Sequence, residues 1–138
     1  MFTRKSFFTL AILFSSLVST AFSQQFLDDG SMKLSEVSTD KKYGFEAKHK
    51  TSIQVGTVEN EYAYIGALRG PNGEQIQARR SGSCCSFKSK DSAFGKGFLD
   101  VWEITYPGLE KPMTIYLNGY KYEAPKCPKG LTFKTDSK

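Results

Sequence analysis

The sequence is poor in the residues that most often carry catalysis or bind metal ions. It contains one histidine and three cysteines, and none of them forms a recognised ligand frame such as Cys-x-x-Cys. The histidine, His49, lies between Lys48 and Lys50, where we expect a solvated side chain and not a catalytic base. Acidic residues are scattered singly, and we interpret Glu59 and Glu61 as helix-start residues instead of an acid/base pair. We therefore expect no catalytic residues and no cofactor, and we favour a non-enzyme; an enzyme whose catalytic groups come from distant parts of the sequence is the alternative that the sequence leaves open.

Long apolar runs are also scarce, because none follows the first 23 residues. The single run, at 7–18, comes after the basic residues Arg4 and Lys5 and is followed by small residues ending at Ser23. This order is typical of a secretory signal, and the run is too short for a membrane-spanning helix of the mature chain. We expect 1–23 to be a signal peptide, cleaved near Ser23, and the protein to be periplasmic or extracellular.

A strong excess of charge of one sign is absent too. Removing Arg4 and Lys5 from the 19 basic residues leaves 17 against 14 acidic ones, a net charge of about +3. So mild a surplus does not indicate a nucleic-acid partner. The one local excess lies from Arg79 to Lys96, where five basic residues face only Asp91, and we interpret it as a solvated loop. The expected partner is an unknown ligand or a component of the cell envelope.

Composition separates a polar leader from one small domain. Residues 24–42 carry only scattered apolar side chains, so we expect a flexible polar leader followed by a single domain at 43–138. The segment 81–97 is rich in Ser, Gly and Lys and is predicted as an irregular connection. Alternating and β-branched patterns predict strands at 51–56, 74–80, 98–106 and 112–118, with further edge strands at 120–123 and 131–134.

One helix is predicted at Glu59–Arg69. Val58, Tyr62 and Ile65 recur there at helical spacing, and acidic residues occupy the first turn. The alternative is a β-hairpin whose turn lies at 71–73, and the sequence leaves both readings open.

The clearest strand pattern is the alternation over 98–106. It predicts that Phe98, Trp102 and Ile104 point into the core. Short connections favour antiparallel pairing of the neighbouring strands. We therefore expect a small two-layer α+β domain, in which an antiparallel sheet of four or five strands is packed by one helix.

The three cysteines carry the only candidate chemistry. Cys84 and Cys85 are adjacent, and with Cys127 they predict one disulfide and one spare thiol. A bridge from either of the pair to Cys127 would close a loop of about forty residues, worth about 4 kcal/mol, which favours a structural disulfide. A strained vicinal Cys84–Cys85 disulfide is the alternative, since such strain is typical of functional places. A soft zinc or copper site, formed by the adjacent cysteines with either His49 or Cys127, is a third reading.

Several short motifs resemble those of a family of short exported bacterial proteins. The likeness is carried by 69–74, with a Gly-Pro-Asn-Gly-Glu turn, by 80–87, with Gly-Ser-Cys-Cys, by 99–106 and by Ala124-Pro125. The resemblance implies an exported protein without an established activity, in which the adjacent cysteines belong to the pattern and Cys127 is an addition. Some members of such families carry the name of 2-dehydro-3-deoxyphosphooctonate aldolase. That activity belongs to a barrel of about 250 residues, which this chain is too short to build.

Two functional hypotheses follow from these observations. The leading one is a small exported non-enzymatic protein that binds a ligand or associates with the cell envelope, because no catalytic set is assembled in the sequence. The alternative is a thiol/disulfide redox or metal-handling protein that uses the adjacent cysteines. The candidate functional or disulfide residues are Cys84, Cys85 and Cys127.

Overall fold

The computed structural model describes residues 25–136, so the predicted signal peptide lies outside the described residues. The elements in chain order are β1 (Ile53–Gln54), α1 (Val58–Ala67), β2 (Leu68–Arg69), β3 (Gln77–Lys88), β4 (Lys96–Thr105), β5 (Met113–Asn118) and β6 (Thr132–Phe133). One helix, a four-stranded sheet and a two-stranded sheet confirm the predicted small α+β class. Over 25–136, no helix is both long and apolar enough to cross a membrane.

The four-stranded sheet is mixed, whereas the sequence predicted an antiparallel one. Its strand order is β1-β5-β4-β3, and β4 runs antiparallel to both of its neighbours. The short strand β1 instead pairs in parallel with β5, because the long intervening chain returns to the sheet in the same direction. Strands β2 and β6 form the separate antiparallel pair.

The helical interpretation of 59–69 is confirmed over the hairpin, with α1 ending two residues earlier. Thr57 caps its start, since its side-chain oxygen accepts a hydrogen bond from the backbone N–H of Asn60. Two of the apolar residues whose spacing predicts the helix are not buried, because Val58 is 51% and Tyr62 is 60% exposed. The face of the helix that packs on the sheet consists instead of Glu61, Tyr64 and Ala67, which are buried.

The predicted irregular connection 81–97 is instead mostly strand. Strand β3 continues to Lys88 as the edge of the sheet, and β4 already begins at Lys96. Two register shifts interrupt the β3–β4 pairing, and each places one extra residue on β3. An edge strand with such bulges tolerates Ser, Gly and Lys, so the composition of 81–97 does not distinguish it from a loop.

The predicted core face of 98–106 is confirmed for Trp102 and Ile104 and is wrong for Phe98. Trp102 and Ile104 are buried, but Phe98 is 49% exposed. Phe98 lies beyond Asp100, the last residue of β4 that pairs with β5, and its side chain is on the face opposite that of the buried Leu99.

Residues 25–42 pack against the domain, which corrects the prediction of a flexible polar leader. Met32 and Leu34 lie in the main core, and Leu27 is buried as well. The backbone N–H of Met32 donates to the carbonyl of Ala63 in the second half of α1 (2.8 Å). Few apolar residues suffice here because they fill a space that the helix and sheet leave open, which the composition of the segment alone does not reveal.

Candidate functional site

Cys84 and Cys85 form a disulfide with each other. This pairing corrects the favoured prediction of a structural bridge to Cys127 and agrees with the alternative of a vicinal disulfide. Cys85 is exposed and Cys84 is half-buried. A bond between chain neighbours ties no distant elements together, so the loop-closure stabilisation expected for a bridge to Cys127 does not apply.

The disulfide lies in the second bulge of edge strand β3. Cys84 is opposite Leu99 in the β3–β4 ladder, and the register then shifts before Phe87 pairs with Gly97. Cys85 has φ 61°, and it is the sole non-glycine residue with positive φ among residues 25–136. A residue other than glycine rarely adopts this left-handed conformation, and such conformations collect at functional sites. The bulge therefore holds Cys85, an exposed residue, on a strained backbone.

Cys127 differs from this pair in its surroundings and in its chemistry. Its side chain is fully buried, and its Sγ donates to the carbonyl oxygen of Pro128 (3.5 Å). Burial raises the pKa of the Cys127 thiol to about 12, so the sulfur stays protonated at neutral pH. A protonated, buried thiol is neither a nucleophile nor a metal ligand.

The residue before the disulfide belongs to a polar cluster on the opposite face of the hairpin. Ser83 is directly opposite Asp100, and its Oγ donates to Asp100 Oδ1 (2.9 Å). The Arg80 guanidinium donates to Ser83 Oγ (2.8 Å) and forms an ion pair with Asp100. Because side chains alternate along a strand, Cys84 points to the other face of β3. The disulfide and this cluster therefore lie on opposite faces of β3 and are joined through the peptide bond between Ser83 and Cys84.

Glu61 completes the cluster from the helix side. Its side chain is fully buried, and Oε2 accepts a hydrogen bond from Trp102 Nε1 (3.0 Å). The Asp100 carboxyl group lies beside it and can hydrogen-bond with it when one of the two groups is protonated, and Glu61 Oε1 has no other partner within 25–136. Gly119 leaves room for it, because a Cβ there would lie 3.2 Å from Glu61 Oε1.

The two carboxyl groups share one proton, and their surroundings place it on Glu61. Burial, followed by the hydrogen bond with Asp100, raises the pKa of Glu61 to about 8. Partial burial opposes ionisation of Asp100, but hydrogen bonds from Glu61, Arg80 and Ser83 outweigh it and lower its pKa. At neutral pH a protonated Glu61 can therefore donate to an ionised Asp100, and Arg80 balances the charge of that carboxylate.

The structure does not assemble the metal site that the sequence left as a third reading. Within residues 25–136, no group of three or more His, Cys, Asp or Glu side chains is placed to hold a metal ion. The sulfurs of Cys84 and Cys85 are consumed in their disulfide, and His49 packs its ring against Phe87 (4.9 Å between centroids). Thiolates are what zinc and copper require from cysteine.

The sequence interpretation missed Glu61 and Asp100 as partners. Glu61 was explained by its favourable place in the first helical turn, and that explanation hid its burial. A signal did exist, because Asp100 shares the inward face of 98–106 with Trp102 and Ile104. A carboxylate on a buried strand face needs a polar partner, and the predicted helix, which has to pack on that sheet, carries Glu61.

Comparison of the chain with models of known protein families, with curated proteins and with solved structures finds no match. The resemblance to a family of short exported proteins therefore stays a prediction. Any functional conclusion has to come from the site itself.

Proposed function

We propose that this is an exported thiol–disulfide protein, whose Cys84–Cys85 pair exchanges two electrons with a dithiol of a partner molecule. The observation that carries the proposal is a disulfide between neighbours, exposed on a bulge of an edge strand. Because the bond connects no separate elements of the fold, it adds little loop-closure stabilisation, and a purely structural role does not explain it. Exposed disulfides are also the ones that exchange most readily with thiols.

The exchange proceeds in two steps that balance. A thiolate of the dithiol attacks the exposed Sγ of Cys85, the Cys84–Cys85 bond breaks, and Cys84 leaves as a thiolate that takes up a proton. The second thiolate of the dithiol then attacks the other sulfur of the dithiol, which is bonded to Cys85 in the mixed disulfide. The bond to Cys85 breaks, and Cys85 leaves as a thiolate that takes up the second proton. The dithiol is thereby oxidised to a disulfide, and the cysteine pair is reduced by two electrons and gains two protons.

The surroundings of the pair support this assignment of the attacked sulfur. Cys85 is exposed, whereas Cys84 is half-buried opposite Leu99, so an incoming thiol reaches Cys85 first. The third cysteine does not compete, because Cys127 is buried and protonated. An oxidising compartment outside the cytosol keeps such a pair oxidised at rest, which is where the predicted signal would send the chain.

Thiol counting on the protein isolated from the exporting cell tests the proposal. A maleimide should label no cysteine of the native protein, and only Cys127 after denaturation. Mild reduction with dithiothreitol under native conditions should add two labels, located by peptide mass spectrometry on Cys84 and Cys85. A linkage to Cys127, or three free thiols in the isolated protein, would refute the proposal.

Equilibration with mixtures of reduced and oxidised glutathione then separates an exchanging pair from an inert one. We expect the pair to be half reduced at a potential less negative than about −300 mV, the range below which structural disulfides lie. Cys127→Ser is the matched control and should leave that potential unchanged. If the pair stays oxidised at potentials below about −300 mV, it belongs with the structural disulfides and the proposal is wrong.

A further inference from the structure

The β3–β4 hairpin extends beyond the rest of its sheet as a two-stranded arm. Strand β5 pairs with β4 only as far as Asp100, whereas β3 and β4 stay paired out to Lys88 and Lys96. The connecting turn is closed by its own hydrogen bonds, such as the one from the Ser89 N–H to the Gly95 carbonyl (3.0 Å). We call residues 88–96 the hairpin tip.

The base of the arm is anchored, so the tip is presented on a defined support. The ring of Phe87 packs against His49 (4.9 Å between centroids) and against Tyr120 (6.0 Å). Gly97 faces Phe87 across the ladder and has no side chain to push it away. Within the part of the chain that the structure describes, the hydrogen bonds of the turn after Phe87 link residues of the hairpin tip only to one another.

The positive charges of the hairpin tip destabilise the hairpin. Lys88 and Lys96 are directly opposite each other in the ladder, and like charges in that position destabilise a sheet. Neither of them, nor Lys90 in the turn, forms an ion pair in the part of the chain that the structure describes. Asp91 is the one acidic residue of the tip. This uncompensated charge indicates an anionic partner.

An exposed aromatic ring stands among these cations. Phe94 is 92% exposed at the turn, the highest exposure among the large apolar side chains from 25 to 136. The rest of the turn includes small residues, namely Ser89, Ser92, Ala93 and Gly95. Leaving a phenyl ring in water forgoes the stabilisation that burial of a side chain of this size provides.

We propose that the hairpin tip docks on the surface of an anionic phospholipid bilayer. Phe94 inserts at the boundary between headgroups and acyl chains, and Lys88, Lys90 and Lys96 bind the anionic headgroups around it. A bilayer accounts for both features at once, because it offers negative charge and an apolar layer a few ångströms apart. An acidic polymer would satisfy the lysines but would leave the ring without a partner.

Docking is independent of the thiol chemistry proposed above, although the two share one hairpin. The disulfide lies at the base of the arm, three residues before Lys88, so docking would hold Cys85 near the membrane. A protein in which the disulfide is inert would still dock. A protein that does not dock would still exchange electrons.

Co-sedimentation with vesicles tests the docking of the full protein. We expect binding to vesicles of phosphatidylcholine and phosphatidylglycerol in equal amounts, weak binding to phosphatidylcholine alone, and loss of binding in high salt. Changing Lys88, Lys90 and Lys96 together to Gln should lower the partition constant about 100-fold, at about fivefold for each lysine. Phe94→Ala should lower it about tenfold while leaving the net charge unchanged.

The matched control changes three exposed lysines away from the tip to Gln, namely Lys41, Lys111 and Lys129. This variant has the same net charge as the triple tip variant and should keep at least about a third of the binding of the unaltered protein, because the three lysines lie outside the hairpin tip and salt screens exposed charges that do not contact the bilayer. Replacing both Cys84 and Cys85 with Ser should leave binding unchanged, which separates docking from exchange. Equal losses in the two triple variants, no effect of Phe94→Ala, or binding to an acidic polypeptide or oligonucleotide but not to vesicles would each overturn the proposal.

Discussion

The buried proton of Glu61 makes the stability of the protein depend on pH, and Glu61→Gln should abolish that dependence. Glutamine has nearly the shape of a protonated glutamic acid. Its oxygen can accept from Trp102 Nε1, and its amide can donate to Asp100, as the protonated carboxyl group does. The substitution therefore keeps the contacts of the neutral group and removes its ability to ionise.

The size of the effect follows from the pKa of Glu61. Burial and the hydrogen bond with Asp100 raise it from the usual 4.5 to about 8. The folded protein then binds the proton more tightly than the unfolded chain, so the stabilisation is complete below the unfolded pKa. It is lost as pH rises towards 8, at about 1.4 kcal/mol per pH unit. Between pH 5 and pH 8 the free energy of unfolding should fall by about 4 kcal/mol.

Urea denaturation at a series of pH values, followed by circular dichroism, measures this fall. Trp102 is the one tryptophan of the chain, and its indole N–H contacts Glu61, so its fluorescence should report the same titration in the folded state. Glu61→Gln should show a nearly flat profile, and at pH 8 it should be more stable than the unaltered protein by about 4 kcal/mol. Glu59→Gln, at the exposed neighbouring position on α1, is the matched control and should keep the slope.

A flat profile for the unaltered protein would refute the reasoning, and so would a slope that Glu61→Gln leaves in place. In the first case Glu61 would be ionised at neutral pH or would lie outside the core. In the second case another group would bind the proton.

Two further substitutions test the packing around the site, both by urea denaturation. Met32→Ala should lower the free energy of unfolding by about 2–5 kcal/mol, because Met32 lies in the core. Ser35→Ala, at an exposed position, should change it by less than about 0.5 kcal/mol. Equal small effects of the two substitutions would mean that the segment 25–42 does not pack against the domain. Gly97→Ala should destabilise by about 1–3 kcal/mol, since its Cβ would lie 2.6 Å from Phe87 Cζ. Gly66→Ala on α1, where the nearest atom is 3.5 Å away, should instead stabilise by up to about 1 kcal/mol, and a loss there or a gain at Gly97 would contradict the packing described.

Local periodicity explains which elements could be predicted from the sequence. The alternation that buries Trp102 and Ile104 and the helical spacing within α1 depend on neighbours along the chain, so strand β4, the helix and the α+β class were all predicted. The end of the helix was predicted within two residues. The face that it buries was not, because two stripes of α1 carry apolar residues and only the sheet selects between them.

The candidate site depends on partners that are distant along the chain. Cys84 and Cys85 are neighbours in any fold, but in this fold they bond to each other in a bulge of edge strand β3, whereas Cys127 lies apart from them in the core. Cysteine spacing restricts the pairings and cannot choose one, because the choice depends on which sulfurs the fold brings within bonding distance.

Patterns along the chain were enough to predict the class of fold, the main strand, the helix and the one segment where thiol chemistry could occur. The disulfide partner, the parallel pairing of β1, the extension of the hairpin arm and the meeting of Glu61 with Asp100 emerged with the three-dimensional arrangement. The physical reason is the distance along the chain between interacting residues, because secondary structure depends mainly on interactions between residues a few positions apart. The hydrogen bonds of Glu61, in contrast, come in part from Trp102, which lies 41 positions further along the chain.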